Sequence, residues 1–213
     1  MMACLPVLGL LPGGIWALAA FLLPKLNCPL SLQGIILGMI PWVVTGFLHL
    51  DGYMDVCDAI LSRRDLETRQ RILKDSHCGA FAVICMVLLA MVTYGIGTMT
   101  KEMDIISLLL VPVASRICAS FAVTHLRPLG SSQYAKMDTY GRKNTVWLVM
   151  CAVCVLGLPW CFGHSSFAVM ATMMGYGLAC RYGYKNLDGM SGDISGFSLV
   201  IGECVGFLVA GLM

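Results

Sequence analysis

Long apolar stretches separated by short polar segments dominate the hydrophobic pattern of the chain. Seven of these stretches reach or approach the length of about 20 residues that a helix needs to cross a bilayer. They cover roughly residues 5–24, 31–50, 80–98, 104–125, 145–163, 165–182 and 195–213. The pattern predicts an all-α, polytopic integral membrane protein with about seven transmembrane helices, formed by a single domain over residues 1–213.

The amino-acid composition supports a membrane location and excludes other classes of protein. Of the 213 residues, 58% are hydrophobic and only 12% are charged, whereas soluble domains carry about 25% charged residues. A soluble globule cannot bury that much apolar surface, because its water-facing positions need polar side chains. The formal charge of +2 is too small for a protein that binds a nucleic-acid backbone. We therefore expect membrane lipid as a partner and no nucleic acid.

The basic residues are distributed unevenly over the segments that connect the apolar stretches. Eleven of the 14 Lys and Arg residues lie within or beside three segments, at about 51–79, 126–144 and 183–194. Loops rich in Lys and Arg stay in the cytoplasm, so we expect these segments to face it. The N-terminus would then lie inside and the C-terminus outside. No basic region precedes the first apolar run, which does not resemble a secretory signal.

Glycine pairs recur inside the apolar stretches. They are Gly9 and Gly13, Gly34 and Gly38, and Gly202 and Gly206, each with GxxxG spacing. In membrane helices this spacing usually marks close helix contact. We expect contacts within the chain first, with a homo-oligomer as the alternative.

The 11 cysteines could suggest a disulfide framework, but most of them lie inside apolar runs. There a free Cys behaves as a small hydrophobic residue. Cys151 and Cys154 have CxxC spacing, but no second pair or His cluster accompanies them. We expect them to pack between helices rather than to bind metal or exchange electrons.

An acidic motif ends the second apolar stretch, where the chain reads His49-Leu-Asp51-Gly-Tyr-Met-Asp55-Val-Cys-Asp58. The spacing i, i+4, i+7 places the three Asp residues on one side of a helix, over about 10 Å. Neighbouring carboxylates repel one another, and hard divalent cations with oxygen ligands, Mg²⁺ above all, offset that repulsion. The alternative is a solvated acidic face, which the small apolar residues between the carboxylates make less suitable.

Two further polar clusters are expected at the same membrane face. Residues 63–79 contain an amphipathic helix pattern, which fits either a surface helix with charge pairs or a basic rim that holds phosphates. Residues 186–196 place Asp188 and Asp193 among glycines, in a turn where the backbone can approach a ligand closely.

Two charged residues, Arg116 and Glu203, lie inside apolar stretches. An ionisable group in a bilayer costs at least about 2–3 kcal/mol, so it usually faces a partner or a site. The two residues could pair with each other or with another residue, or they could belong to a functional site.

The three polar clusters together combine acidic residues that suit a metal with basic residues that suit phosphate oxygens. This combination is typical of metal-assisted phosphoryl or nucleotidyl transfer, where positioning and charge neutralisation carry most of the catalysis. The chain has no Walker-type GxxxxGK[ST] motif, so nucleotide hydrolysis of the P-loop kind is not supported.

Four blocks of the sequence strongly resemble the cobalamin synthase family, the adenosylcobinamide-GDP ribazoletransferases of the bacterial vitamin B12 pathway. They are His49-Leu-Asp51-Gly52-x-x-Asp55-x-x-Asp58; Leu73-Lys74-Asp75-Ser76-x-x-Gly79; Ser115-Arg116 with Arg127-Pro128-Leu129-Gly130; and Asn186 through Gly192-Asp193-x-x-Gly196, followed by Glu203. The resemblance covers about residues 5–213, and its first and last blocks together are specific.

The resemblance implies a reaction, a cofactor and a location. α-Ribazole, or its 5′-phosphate, would attack the phosphate attached to adenosylcobinamide in adenosylcobinamide-GDP. Adenosylcobalamin, or its phosphate, would form, and GMP would leave. The family requires Mg²⁺. The protein would be a multi-pass protein of the bacterial cytoplasmic (inner) membrane, with its active site facing the cytoplasm.

The matching positions and the polar clusters supply the candidate site residues. The metal ligands would be Asp51, Asp55, Asp58, Asp188 and Asp193. The catalytic group would be His49, Asp51, Asp55, Asp58 and Asp193, in which His49 or one of the Asp residues takes the proton of the attacking hydroxyl. The substrate-binding candidates are Arg63, Arg64, Lys74, Asp75, Ser76, Arg116, Asn186 and Asp188.

The sequence departs from the family pattern at two places. Ser191 stands where the family has Thr before the final Gly-Asp, which keeps the hydroxyl. Family members usually carry a further amphipathic or apolar segment before the position of Met1, so we expect a shorter N-terminal part of the fold.

Two other functions could also use acidic residues in a membrane protein. A CDP-alcohol phosphotransferase also uses an Asp-rich metal site at a membrane helix end, but its signature has Ala-Arg after Asp-Gly, and here Tyr53-Met54 follows Asp51-Gly52. A cation transporter would hold its carboxylates near the bilayer midplane, on broken helices. Here most of them lie at one expected membrane face.

Overall fold

The fold is known from a computed structural model that describes residues 4–99, 103–130 and 145–213. Within these ranges the chain forms ten α-helices and no strand. The helices are α1 (Leu5–Leu8), α2 (Leu10–Lys25), α3 (Leu30–Val44), α4 (Leu48–Leu61), α5 (Leu66–Ile72), α6 (Ala80–Gly97), α7 (Ile105–His125), α8 (Thr145–Cys161), α9 (Phe167–Leu187) and α10 (Gly192–Leu212). The predicted all-α fold is confirmed.

Four segments of the described chain are long and apolar enough to cross a membrane. They are Leu5–Lys25, Ala80–Gly97, Ile105–His125 and Gly192–Leu212. The number rises to five if the bent pair α3 and α4 counts as one span, and α8 is a shorter apolar helix. All seven predicted stretches are largely helical, which fits a membrane protein, but the expected count of about seven spans is not confirmed.

The outward-facing surfaces of these helices carry large apolar side chains. On α6, for example, Ile84, Leu88 and Met91 are 53%, 56% and 64% exposed, and on α9 Met174 and Leu178 are 65% and 66% exposed. Monomeric soluble proteins rarely expose contiguous apolar patches of this kind. Lipid tails are therefore the natural surroundings of the bundle.

The second predicted stretch, 31–50, is two helices rather than one. α3 ends at Val44 and α4 begins at Leu48, and the two helices are bent by 92°. Gly46 and Phe47 both adopt positive φ angles of 61°, a left-handed conformation that ends a helix. The Thr45 hydroxyl donates a hydrogen bond to the Pro41 carbonyl at 2.8 Å. The acidic motif therefore lies on a helix of its own.

Glycines let the helices approach one another closely at all three GxxxG pairs. A Cβ atom on Gly9 would lie 2.7 Å from the Pro112 carbonyl oxygen of α7, and one on Gly34 would lie 2.9 Å from the Tyr94 carbonyl oxygen of α6. α10 packs centrally, with α9, α4, α7 and α6 around it. The prediction that these glycines mark helix contacts within the chain is confirmed.

Polar contacts distinguish the two ends of the bundle. At one end His164, between α8 and α9, lies 2.9 Å from the carboxylate of Asp104, which also caps the start of α7. At the other end the backbone N–H of Leu129 donates to the Met190 carbonyl at 2.8 Å, which joins the end of α7 to the turn before α10. We call this second end, formed by residues 48–79, 126–130 and 183–196, the polar end. Residues 131–144, with Lys136, Arg142 and Lys143, lie outside the described ranges.

The cysteines of the described residues are free thiols. Cys151 packs beside an apolar cluster that joins α7, α8 and α9, and Cys154 is exposed on α8. Packing between helices, as predicted, is therefore seen for Cys151 but not for Cys154.

Replacing Gly202 by Ala is expected to destabilise the protein. Its Cβ would lie 2.9 Å from the Thr172 carbonyl oxygen of α9, so the two helices would have to separate, at a cost of about 1–3 kcal/mol. Gly95→Ala on α6 is the matched control, because a Cβ there meets nothing within 4 Å and Ala favours a helix. Thermal unfolding in detergent would show a lower midpoint for the first variant only. Equal midpoints would contradict the close α9–α10 contact.

Candidate functional site

The three Asp residues of the acidic motif lie along one side of α4. The opposite side of this helix is apolar and packs into the bundle through buried Leu50, Val56 and Ile60. Asp51 is exposed, and Asp55 and Asp58 are half-buried. The spacing of the motif therefore produces the expected acidic stripe, which is only partly in water.

A fourth carboxylate, that of Asp193, joins this stripe from α10. α4 and α10 cross so closely at Gly52 that a Cβ on this residue would lie 2.9 Å from the Cα of Asp193. Asp55 lies near enough to Asp51, Asp58 and Asp193 for its charge to interact with all three. Two sequence-distant motifs are thereby brought into one acidic group, which we call the carboxylate group.

The start of α10 fixes the position of Asp193. Ser191 caps the helix by accepting a hydrogen bond from the Ile194 N–H at 3.3 Å, and its hydroxyl donates to Asp193 Oδ2 at 3.4 Å. An acidic side chain in the first turn is also favoured by the positive end of the helix dipole. Ser191 is thus the N-cap residue of α10.

Gly79 allows the chain before α6 to pass directly over Asp58. A Cβ on Gly79 would occupy the space of the Asp58 carboxylate. Gly79 and Gly52 belong to the sequence motifs, but the motifs did not predict that these glycines are contact points. The signal was present, since a glycine between polar residues often marks a close backbone approach.

The basic helix α5 docks on the end of α9. Arg69 donates hydrogen bonds to Asn186 Oδ1 at 3.2 Å and to its carbonyl oxygen at 3.4 Å, and Gln70 donates to the Leu187 carbonyl at 2.8 Å. Asn186 also donates to the Tyr182 carbonyl at 2.9 Å. The amide of Asn186, a substrate-binding candidate, is therefore engaged in holding α5 against α9.

Exposed basic side chains remain around α5. Arg63, Arg64 and Lys74 are exposed, and none of them forms an ion pair with a carboxylate of the described chain. Ser76 is exposed as well. Lys74 also lines a polar cleft of about 640 Å³, whose other lining residues are Glu67, Gln70, Arg71, Ile72 and Asp75. Glu67, Gln70 and Arg71 were not among the predicted site residues.

Asp75 and His77 form an exposed pair in the segment between α5 and α6. His77 Nδ1 lies 2.6 Å from Asp75 Oδ1. This hydrogen bond raises the pKa of the His77 ring above its ordinary value and lowers the pKa of the Asp75 carboxyl. The carboxylate of Asp75 is thus partly occupied by its own neighbour.

Asp188 has a basic partner of its own at the end of α9. It ends α9 in a left-handed conformation, with φ 58°, and its Oδ1 lies 2.6 Å from Arg127 Nη2. The guanidinium also donates to the Asp188 carbonyl at 2.8 Å. The structure therefore joins Asp188 to Arg127, whereas the sequence grouped it with the metal ligands.

Arg116 and Glu203 form a buried ion pair between α7 and α10. Arg116 Nη1 lies 2.6 Å from Glu203 Oε1, and both side chains are 6% exposed. The Ser115 hydroxyl donates to the same carboxylate at 2.8 Å, and Arg116 also donates to the Pro112 carbonyl at 2.9 Å. Of the two roles considered for these residues, mutual pairing is the one that the structure forms.

His49 lies next to this pair, at the start of α4. Its ring is close enough to Arg116 for an electrostatic interaction, and its Nδ1 is buried without a hydrogen-bond partner in the described chain. The backbone of His49 contacts α10 at Gly196, where a Cβ would lie 3.1 Å from the His49 carbonyl oxygen. His49 thus links the buried pair to the crossing that holds Asp193.

The four carboxylates of the carboxylate group are chemically suited to a hard cation, but they do not enclose a closed metal site. Asp51, Asp55, Asp58 and Asp193 offer carboxylate oxygens, the ligands that Mg²⁺ prefers, and none of them is ion-paired within the described chain. In the same residues no three His, Cys, Asp or Glu side chains are arranged closely enough to enclose a metal ion.

Comparison with known proteins gives a match over nearly the whole chain. The family model described as "Cobalamin-5-phosphate synthase" matches residues 1–211. A protein of Clostridium perfringens named "Adenosylcobinamide-GDP ribazoletransferase" is 38% identical over 214 residues, which cover 98% of this chain and 85% of that protein. A protein of Clostridium botulinum with the same name is 38% identical over 217 residues, which cover 99% of this chain and 86% of that protein. No solved structure matches the chain.

Breaking the buried ion pair is expected to cost much stability. Glu203→Gln leaves the guanidinium of Arg116 buried without its counter-charge, and removing one member of such a pair costs about 3–5 kcal/mol. The double variant Arg116→Met/Glu203→Met removes both charges and should recover most of that loss. Thermal unfolding in detergent tests both. A single variant as stable as the unchanged protein would show that the pair is not buried as described.

Proposed function

The chain belongs to the cobalamin-5-phosphate synthase family, and from this membership we propose that it is an adenosylcobinamide-GDP ribazoletransferase of cobalamin biosynthesis. The observation that supports the assignment of particular residues is the carboxylate group, which α4 and α10 bring together at the same end of the bundle as exposed basic side chains. The family match and the names of the relatives favour this transferase over a CDP-alcohol phosphotransferase or a cation transporter.

The proposed reaction breaks the phosphoanhydride bond of the diphosphate and forms a phosphate ester bond in its place. A hydroxyl oxygen of α-ribazole, or of its 5′-phosphate, forms a bond to the phosphorus attached to adenosylcobinamide. The bond from that phosphorus to the oxygen of GMP breaks, and GMP leaves with the electron pair. The hydroxyl proton passes to His49 or to one of the carboxylates. The products are adenosylcobalamin, or its 5′-phosphate, and GMP.

Magnesium is the proposed cofactor, held by Asp51, Asp55, Asp58 and Asp193. When bound, Mg²⁺ would neutralise the charge of the diphosphate and of the leaving phosphate. An open set of carboxylates suits this role, because Mg²⁺ usually shares its coordination with substrate phosphates and water. Asp188 Oδ1 is engaged by Arg127, so we assign Asp188 first to fixing the turn before α10, although a carboxylate has a second oxygen that can also meet a cation.

The exposed basic side chains are proposed to hold the remaining phosphate oxygens. Arg63, Arg64 and Lys74 have no carboxylate partner in the described chain and lie at the same end as the carboxylate group. Charge-assisted hydrogen bonds to phosphate are among the stronger polar contacts. Arg116, by contrast, would act through Glu203 and His49 as a positioning residue rather than touch the substrate.

The polar end is proposed to face the cytoplasm from a bacterial cytoplasmic membrane. Arg63, Arg64, Arg69, Arg71, Lys74 and Arg127 all lie there, and loops rich in Lys and Arg are retained on the cytoplasmic side. A water-soluble nucleotide product such as GMP would then be released directly into the cytoplasm.

Asp55→Asn is expected to lower the turnover number by at least about 100-fold while the protein stays folded. Asp55 is central to the carboxylate group and interacts with its three other members, so its charge is needed to hold the cation. GMP release from adenosylcobinamide-GDP measures the effect, and thermal unfolding checks the fold. Asp65→Asn is the matched control, because Asn replaces Asp well as the cap of α5. Near-normal turnover of Asp55→Asn at ordinary Mg²⁺ would contradict the site.

Removing Mg²⁺ with a chelator is expected to abolish GMP release, and adding Mg²⁺ back should restore it. Asp193→Asn should raise the Mg²⁺ concentration needed for half-maximal rate by about 10–100-fold, because one oxygen ligand loses its charge. A rate that is independent of Mg²⁺ would remove the metal from the proposal. Ion movement across vesicles without GMP release would instead favour a transporter.

A further inference from the structure

A long apolar groove runs between α7, α8 and α9, outside the carboxylate group. Its volume is about 700 Å³. Its walls include Ile117, Phe121, Leu148 and Met173. These side chains belong to helices whose outer surfaces are apolar, so the groove lies against the hydrocarbon of the membrane.

One end of this groove is basic. Arg181 and Lys185 line it, one helical turn apart on α9, close to the turn at Asp188 and therefore at the polar end. Both are exposed, and neither forms an ion pair among the described residues. The nearby carboxylate of Asp188 is already paired with Arg127. Two positive charges are thus left at the mouth of an apolar groove.

A second groove of the bundle shows what an ordinary lipid-facing surface looks like here. It has a volume of about 520 Å³ between α3 and α6, and its lining residues include Ile35, Met39 and Met86. No charged residue lines it. The basic end is therefore a particular property of the groove beside α9 rather than a feature of every lipid-facing cleft in the described chain.

We propose that the groove between α7, α8 and α9 binds an anionic phospholipid. One acyl chain lies along the apolar walls, and the headgroup phosphate contacts Arg181 and Lys185. Basic pockets between membrane helices at the cytoplasmic side bind anionic headgroups, and an apolar cleft makes favourable contacts with an acyl chain. The site is separate from the transfer reaction, so the lipid is neither a substrate nor a product.

The geometry also gives the lipid a route to influence the carboxylate group. Tyr176 lines the groove, and its hydroxyl lies 3.1 Å from the Ser195 hydroxyl of α10. Ser195 is two residues after Asp193. A lipid packed against α9 therefore supports the face of α9 that holds the start of α10 in place.

Native mass spectrometry of the purified full chain in detergent tests the proposal, with phosphatidylglycerol or phosphatidylcholine added. We expect one phosphatidylglycerol to remain bound in preference to phosphatidylcholine. Arg181→Gln/Lys185→Gln should weaken its retention by about 30-fold, and each single variant by about fivefold. Lys25→Gln is the charge control, because Lys25 ends α2 near the opposite end of the bundle and should leave retention unchanged.

A second pair of variants tests the groove itself without changing any charge. A Cβ on Gly177 meets nothing within 4 Å, and Gly177 lines the groove, so Gly177→Leu should fill it and expel the lipid. Gly157→Leu on α8 is the matched control, since Gly157 is also in open space but does not line the groove. Thermal unfolding confirms that each variant folds.

Several results would overturn the lipid site. They are equal retention of the two lipids by the unchanged protein, unchanged retention in Gly177→Leu, or an equal loss in Gly177→Leu and Gly157→Leu. Displacement of the lipid by α-ribazole 5′-phosphate would assign the groove to the substrates instead. GMP release is measured separately, so a failure of the proposed function and a failure of the lipid site would be distinguished.

Discussion

Repulsion between neighbouring carboxylates is the constraint on which the polar end of the bundle depends. α4 supplies three of them on one side, and the close crossing at Gly52 adds that of Asp193. Like charges that are partly removed from water raise the free energy of the folded protein unless a cation offsets them. No described basic side chain forms an ion pair with any of the four. The fold therefore accepts a local cost that a bound cation and its phosphates would relieve, as functional sites often do.

In the buried pair of Arg116 and Glu203, by contrast, the charges that are removed from water neutralise each other. Its charges are matched within the chain, and Ser115 and the Pro112 carbonyl satisfy further hydrogen bonds. Glu203 lies ten residues after Asp193 on α10, or about 15 Å along the helix axis. A fully satisfied pair at this depth fixes α10 against α7, and so it supports the end of the helix where the unmatched carboxylates lie.

Hydrophobic pattern and spacing predicted the helices and the acidic stripe along one side of α4. The i, i+4, i+7 spacing placed Asp51, Asp55 and Asp58 on one side of α4, and GxxxG spacing marked real helix contacts. The 92° bend before α4 was missed, because Gly46 and Phe47 lie inside an apolar run that reads as one span. The pairing of Asp188 with Arg127 was also missed. It joins residues 61 positions apart, and a local pattern carries no information about that contact.

The bend before α4 decides what kind of chemistry the carboxylates can serve. If α3 continued straight, the acidic motif would extend one membrane helix, whereas the turn at Gly46 and Phe47 lays α4 across α10 at the end of the bundle. Asp51 is exposed there, and Asp193 is at the start of its helix rather than its middle. A diphosphate cannot enter hydrocarbon without losing its hydration, which is costly for any charged group. Carboxylates at a helix end can meet such a substrate from the aqueous side, whereas carboxylates at the bilayer midplane could meet only a desolvated ion.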